Sequence, residues 1–117
     1  MTRKILIIED EPQILAMMKL FLEKSHSCST ATCLKEAFDL LNKEKFELVI
    51  SDLNLPDSYQ YNLMDYKKSS KSEFKVMYST GDSCDKLKQE LLSSGADLVL
   101  HKPFAFKELT KLVDDIF

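Results

Sequence analysis

Glycine is scarce in this sequence, which has only Gly81 and Gly95 among its 117 residues. A GxGxxG dinucleotide-binding loop and a Walker phosphate-binding loop both need closely spaced glycines, so both are excluded. No apolar stretch approaches the roughly 18 residues of a membrane span, and the amino terminus has no signal-peptide pattern. We therefore expect a cytoplasmic protein without a membrane segment.

The sequence also has few cysteines and no large excess of charge of one sign. The 16 basic and 19 acidic residues leave a net charge of −3, and no basic run predicts direct binding to nucleic acid. Cys28, Cys33 and Cys84 are odd in number and form no CxxC motif, so a disulfide framework is not expected. His26 with Cys28 and Cys33 lacks a fourth zinc ligand, which favours buried or incidental cysteines. Cys84 is predicted to lie on the apolar stripe of a helix.

Short apolar runs alternate with longer segments of helical period. The runs are typical of parallel strands buried on both faces and lie at 5–8, 48–50, 76–78 and 98–100, with a weaker one at 28–31. Helices are predicted at 12–22, 34–41, 84–91 and 109–116, and less clearly at 61–68. Five β–α units of about 23 residues each predict one α/β domain with helices on both faces of a parallel sheet.

Polar residues follow four of the predicted strands. They are Glu9, Asp10 and Glu11, then Ser51 and Asp52, then Ser79, Thr80 and Gly81, and finally His101, Lys102 and Pro103. Taken singly, each is more simply a capping or turn residue, but ligands of open parallel sheets bind at this edge. Three carboxylates at one edge would repel one another unless a cation lay among them, and oxygen ligands suit Mg²⁺. Asp52 is then a candidate nucleophile for a phosphoryl group whose oxygens Thr80 and Lys102 would contact.

The sequence resembles the receiver domains of two-component response regulators over essentially its whole length, residues 1–117. The resemblance is carried by IIEDEP at 7–12, LVISDLNLPD at 48–57, STG at 79–81 and GADLVLHKPF at 95–104. It implies a flavodoxin-like (βα)5 fold, a doubly wound parallel five-stranded sheet with strand order 2-1-3-4-5. It also implies a cis peptide bond between Lys102 and Pro103.

The resemblance further implies that Asp52 accepts a phosphoryl group from a sensor histidine kinase or a histidine phosphotransfer protein. The Mg²⁺ ligands would be Asp10, Asp52, the backbone carbonyl of Asn54 and, mainly through a water, Glu9. Thr80 and Lys102 match the hydroxyl and the lysine of such sites. A domain of this kind is not an enzyme in the usual sense, because it catalyses only its own phosphorylation and dephosphorylation.

The output of such a domain is an unknown downstream protein or output domain. The fourth helix, fifth strand and fifth helix, here roughly residues 83–117, form the usual docking surface, and a homodimer through it is one expectation. The chain is either a stand-alone regulator or a receiver from a longer protein.

Two positions depart from the family pattern. Val99 stands where a rotating tyrosine or phenylalanine is usual, so we hypothesise that the segment 80–83 alone reads out phosphorylation. Gln60 replaces a glycine, which predicts another path for the loop before the third helix. Tyr59, Tyr61 and Tyr66 crowd that loop, and partial burial against the third helix is favoured over a partner-binding patch.

Three rival interpretations remain beside the receiver. A pseudo-receiver would bind partners without being phosphorylated, although such proteins usually lose one of the site residues retained here. A haloacid-dehalogenase-like phosphohydrolase would need a second aspartate where Asn54 stands, and it would need more chain for a cap. A flavodoxin would need a phosphate-binding loop, which the sequence lacks.

Overall fold

The structure is a computed structural model that describes residues 2–117. The five strands are β1 Lys4–Ile8, β2 Ser27–Ala31, β3 Leu48–Asp52, β4 Lys75–Thr80 and β5 Leu98–His101. The five helices are α1 Pro12–Leu22, α2 Leu34–Lys43, α3 Leu63–Ser69, α4 Asp85–Ser93 and α5 Phe106–Ile116. In the described part of the chain, no helix has the length and apolar character needed to cross a membrane.

The strands form one parallel sheet in the order β2-β1-β3-β4-β5. This order confirms the flavodoxin-like fold that the resemblance implies, including the crossover that places β1 between β2 and β3. The Lys102–Pro103 peptide bond is cis, which is also confirmed. The carboxyl ends of all five strands therefore meet at one edge of the sheet.

Two apolar clusters cover the two faces of the sheet. On one side, called the α1/α5 face, strand side chains pack against helix residues Met18, Leu22, Leu109 and Val113, and all four are buried. On the other side, called the α2–α4 face, the sheet packs against α2, α3 and α4. Burying a leucine or methionine side chain stabilises the fold by about 1.5–3 kcal/mol, so both clusters contribute strongly to the sandwich.

The ends of the helices follow from local residues, and several differ from the sequence-based expectation, including α5, which begins at Phe106 and not at 109. Helix α1 begins with Pro12, which fits a first-turn position because proline lacks the backbone N–H that would have no helical partner there. Helix α3 begins at Leu63, two residues after the predicted start, because the side chain of Asn62 accepts a hydrogen bond from Asp65 N and caps it.

Cys84 is not on an apolar stripe, and that prediction is wrong. It precedes α4 as its exposed N-cap residue, and its backbone N–H donates to Asp82 Oδ1 at 2.9 Å. Helix α4 therefore starts one residue later than the periodicity suggested. Its leucines Leu87, Leu91 and Leu92 are only half-buried, and Leu91 packs against the α2–α4 face.

The turn after α4 has a backbone conformation that favours glycine at position 95. Gly95 has φ of 113°, a conformation that L side chains rarely adopt, and a Cβ added there would lie 3.0 Å from Met64 Cε. Gly95 N donates to Leu92 O and Ala96 N donates to Leu91 O, the hydrogen-bond pair of a Schellman motif. Glycine thus ends α4 and turns the chain toward β5.

Gln60, in the loop before α3, lies outside the left-handed backbone region, as expected of a residue that replaces glycine. Lys71 is the one non-glycine residue with positive φ in the described chain, so Gln60 avoids the left-handed region. The expectation for the tyrosines is partly right. Tyr66 stacks on Phe38 of α2 with ring centroids 4.5 Å apart, and Tyr61 contacts the same ring edge-on, so their partner is α2 more than α3. Tyr59 is 86% exposed, so burial is wrong for this residue.

Candidate functional site

Three carboxylates meet at the carboxyl edge of the sheet. Glu9 and Asp10 directly follow β1, Asp52 ends β3, and these neighbouring strands are paired in parallel register, with Ile8 opposite Ser51. Carboxylate oxygens of Glu9, Asp10 and Asp52 lie within 4.8 Å of one another. Glu9 is 0% exposed and Asp52 is 8% exposed, whereas Asp10 is open to solvent. The sequence-based prediction that these side chains converge is confirmed.

Lys102 completes this group. Its Nζ donates to Glu9 Oε2 at 3.1 Å and Oε1 at 3.3 Å, and to Asp52 Oδ2 at 3.2 Å. Lys102 follows β5, which is separated from β3 by β4, so its side chain spans the end of β4 to reach these carboxylates. One ammonium group is thus shared between two buried carboxylates.

For both Glu9 and Lys102, burial and the attraction between the two groups shift the pKa in opposite directions. Burial raises the pKa of Glu9, and the charge of Asp52 adds to this effect, while the hydrogen bond and charge of Lys102 partly oppose it. Burial alone would lower the pKa of Lys102, but its hydrogen bonds and attraction to Glu9 and Asp52 outweigh burial and raise it. Lys102 therefore stays charged near neutral pH and holds the two carboxylates together.

The loop after β3 orients the Asp52 carboxylate. The backbone N–H of Asn54 donates to Asp52 Oδ1 at 3.1 Å, and Leu53 N donates to Ser79 O at 2.9 Å, which ties the loop to β4. The two Asp52 oxygens thus have different partners, a backbone N–H and the Lys102 ammonium. Asn54 itself is exposed beside the cluster.

Thr80 is not joined to the cluster by a hydrogen bond within residues 2–117. It is 2% exposed, and its Oγ1 accepts from Asp82 N at 3.1 Å. Thr80 follows Tyr78 by two residues on β4, and Tyr78 belongs to the α2–α4 face, so the Thr80 side chain leaves the strand on that face. Ile50, two residues before Asp52 on β3, belongs to the α1/α5 face, so Asp52 leaves its strand there. The Thr80 hydroxyl therefore approaches the site from the opposite face.

Sequence reasoning gave no role to Asp57, five residues after Asp52. Its Oδ1 accepts from Leu34 N and its Oδ2 from Lys35 N, both at 2.9 Å, so its carboxylate caps the first turn of α2. The contact joins the loop that follows Asp52 to a helix more than 20 residues earlier. No local sequence signal predicts such a cap, because its two partners are distant in the chain.

His26, Cys28 and Cys33, all in the described part of the chain, do not come together as metal ligands. The Nδ1 of His26 accepts from the backbone N–H of Arg3 at 3.0 Å, and its Nε2 lies 3.1 Å from Asp114 Oδ1. Both ring nitrogens are therefore engaged, and they join the residue before β2 to the residue before β1 and to α5. Burial raises the pKa of the Cys28 thiol to about 11, so this half-buried side chain is a neutral thiol.

The acidic cluster fits a hard divalent cation. Three carboxylates against one ammonium leave two negative charges in excess when all four groups are ionised. The donors are oxygens, the ligands that Mg²⁺ prefers, and Asp10 opens the cluster to solvent. Within residues 2–117 no other set of three His, Cys, Asp or Glu side chains converges in this way.

Comparison with known proteins agrees with this geometry. Residues 5–114 match the response regulator receiver domain family. The chain therefore belongs to that family. Its fold is the receiver fold, with five parallel strands in the order 2-1-3-4-5 and five helices.

Relatives are found among both curated sequences and solved structures. The chain is 33% identical over 107 residues to the virulence transcriptional regulatory protein PhoP of Salmonella typhimurium, and 28% identical over 106 residues to the response regulator SaeR of Staphylococcus epidermidis. These matches cover 91% and 90% of the chain but only 48% and 46% of those proteins, so the chain spans under half of their length. The BeF3-activated receiver domain of DrrB superposes with a TM-score of 0.86, at 27% identity, over 99% of this chain and 97% of that one.

Proposed function

We propose that residues 1–117 form one receiver domain in which Asp52 accepts a phosphoryl group from a phosphohistidine. The observation that carries this proposal is the convergence of Glu9, Asp10 and Asp52 with the ammonium of Lys102. A lone buried aspartate would be an ordinary polar residue. Two further carboxylates and a shared ammonium make this edge suited to a cation and a phosphoryl group together.

The transfer needs one nucleophilic oxygen and a neutralising environment. An Asp52 carboxylate oxygen forms the new bond to phosphorus as the bond from phosphorus to the histidine nitrogen breaks, and that nitrogen keeps the electron pair. The Lys102 ammonium already lies 3.2 Å from Asp52 Oδ2, and it forms an ion pair with the negatively charged phosphoryl oxygens during transfer. The Asn54 N–H holds the other Asp52 oxygen in place. Thr80 donates a hydrogen bond to the phosphoryl group after its hydroxyl leaves Asp82 N.

The residues that would hold Mg²⁺ are Glu9 through a water, Asp10, Asp52 and the backbone carbonyl of Asn54. When bound, Mg²⁺ neutralises charge on the transferring phosphoryl oxygens. The chain itself supplies the excess of negative charge that attracts the ion and the Lys102 ammonium that opposes charge beside it. We propose that the domain acts as a phosphoacceptor and catalyses only its own phosphorylation and dephosphorylation.

The proposed partners follow from this role. A sensor histidine kinase or a histidine phosphotransfer protein donates the phosphoryl group, in the cytoplasm, and a downstream protein or output domain receives the signal. We propose the surface of α4, β5 and α5 as its docking or dimerising surface, because α4 has no buried residue and Val99 of β5 is half-buried. No direct contact with nucleic acid or membrane is proposed.

The test is incubation with acetyl phosphate and Mg²⁺ followed by intact mass measurement. We expect the wild type to gain one phosphoryl group and the Asp52→Asn variant to gain none, because the amide is not a nucleophile here. Asp39→Asn is the matched control, since Asp39 is an exposed aspartate on α2 outside the site. It should be modified as the wild type is.

An unmodified wild type that is folded and binds Mg²⁺ would contradict the proposal. It would favour the alternative, a pseudo-receiver that binds partners without phosphorylation. Equal modification of the wild type and Asp52→Asn would place the phosphoryl group on another residue.

A further inference from the structure

Ser79 is a buried polar residue whose hydroxyl has no partner. It is 1% exposed, and its Oγ makes no hydrogen bond within residues 2–117. The other buried polar side chains each have a hydrogen bond: Glu9, His26, Ser51, Asp52 and Thr80. Because an unpaired buried hydroxyl costs stability, this one calls for a physical explanation.

The side chain of Ser79 leaves β4 on the face that carries Asp52. Met77, two residues earlier on β4, belongs to the α1/α5 face, and successive strand residues alternate between faces. Ser79 is opposite Asp52 on β3 and opposite Leu100 on β5 in the parallel register. Thr80, the neighbouring hydroxyl, leaves the strand on the other face.

Lys102 passes over this position. Neighbouring strands lie about 4.8 Å apart, and β4 separates Lys102, which follows β5, from Asp52 on β3. The Lys102 side chain nevertheless reaches Asp52 and Glu9, so it crosses the end of β4 on the α1/α5 face. Ser79 is the last β4 side chain beneath this path, because the next residue on that face is Gly81.

We propose that Ser79 is a positioning residue for Lys102 in the phosphorylated site. An ammonium group has three hydrogens to donate, and Glu9 and Asp52 receive them here. When the phosphoryl group on Asp52 draws the ammonium away from Glu9, the Ser79 hydroxyl accepts one of its hydrogens. The ammonium is then held against the phosphoryl oxygens by a neutral group that does not compete with them in charge. This inference rests on the proposed phosphorylation of Asp52.

A purely steric explanation competes with this one. A small residue at position 79 would simply leave room for the Lys102 side chain, and alanine would serve equally well. The two explanations differ in whether the hydroxyl matters when the shape is kept. Serine against alanine and threonine against valine are two pairs that each change the hydroxyl with little change in shape.

The experiment compares wild type, Ser79→Ala, Ser79→Thr and Ser79→Val. For each protein, the maximal phosphorylation rate and the half-saturating concentration of acetyl phosphate are measured at saturating Mg²⁺, and the Mg²⁺ affinity is measured by calorimetry. We expect the maximal rate to fall about tenfold from serine to alanine and from threonine to valine, as for a hydrogen bond to a charged group. The Mg²⁺ affinity should not change, because all three carboxylates are kept.

Equal maximal rates within both pairs would overturn the inference and leave Ser79 as a spacer. A parallel loss of Mg²⁺ affinity in alanine and valine would also overturn it, because the site would then be distorted. Failure of the proposed function is distinguished by the wild type, which would gain no phosphoryl group at all.

Discussion

The helices on the two sides of the sheet differ in one member, α4, which is held less firmly than the other four. On the α1/α5 face, α1 and α5 each bury two side chains, Met18 with Leu22 and Leu109 with Val113. On the α2–α4 face, α2 and α3 also bury two side chains each, whereas α4 buries none. The carboxylates and Lys102 lie at the edge of the firmly packed side, whereas Thr80 and Val99 lie on the side of α4.

Under the proposed function, this difference separates the chemistry of the domain from its readout. A phosphorylation site needs its groups fixed before the reaction, because reorganisation during transfer would raise the barrier. A signalling surface needs an element that moves at small cost, and elements with few buried contacts are the ones that move. Helix α4, which follows the Thr80–Ser83 segment directly, fits this second role.

The largest expected effect that tests this comparison is on stability. Leu109→Ala removes a fully buried side chain of α5 and should lower the free energy of unfolding by about 2–5 kcal/mol. Leu87→Ala makes the same chemical change on α4, where the side chain is half-buried, and should cost about 1 kcal/mol or less. Urea unfolding of both variants measures the contrast. Equal losses would show that α4 is as firmly held as α5.

A somewhat smaller effect concerns Tyr78, which lies on β4 beneath the α2–α4 face. Burial raises its pKa to about 12 from an ordinary value of 10.0. The unfolded chain therefore loses this proton first, and stability falls as pH rises from about 10 to about 12, by about 2–3 kcal/mol in total. Urea unfolding of wild type and Tyr78→Phe across that range measures the difference, because phenylalanine has no such proton.

The ultraviolet absorbance of tyrosinate gives the control for this prediction. If Tyr78 titrates near its ordinary pKa while the protein is still folded, water reaches this face easily. The sheet beneath α4 would then be loosely covered as well, and the contrast between the two faces would extend into the core.

The smallest expected effect concerns the extent of the change on phosphorylation. Val99 on β5 is stiff about χ1 and has no ring to rotate, and it lies opposite Tyr78 in the register. With a phosphoryl group on Asp52, amide chemical shifts should change around the site and in the segment 80–83, with little change in β5. In Val99→Tyr the changes should extend into β5. Changes of equal extent in the wild type and the variant would contradict the hypothesis that this segment acts alone.

The sequence predicted the strands and the acidic cluster because both follow from simple rules. Strands buried on both faces read as uninterrupted apolar runs, and their carboxyl ends share one edge. The strand order implied by the resemblance makes β1 and β3 neighbours, which brings Glu9, Asp10 and Asp52 close together. The start of α3 and the place of Cys84 were less predictable. They depend on hydrogen bonds to Asn62 and Asp82, which compete with the apolar period.

By itself, the sequence determined the fold class, the family and the set of groups available at the sheet edge. Only the tertiary structure decided which side each group approaches from. A strand that is apolar throughout carries no two-residue alternation, so its sequence cannot show which residues point to which face. The packing of Met77 and Tyr78 sets that phase, and it therefore places Ser79 beside Asp52 and Thr80 on the side of α4.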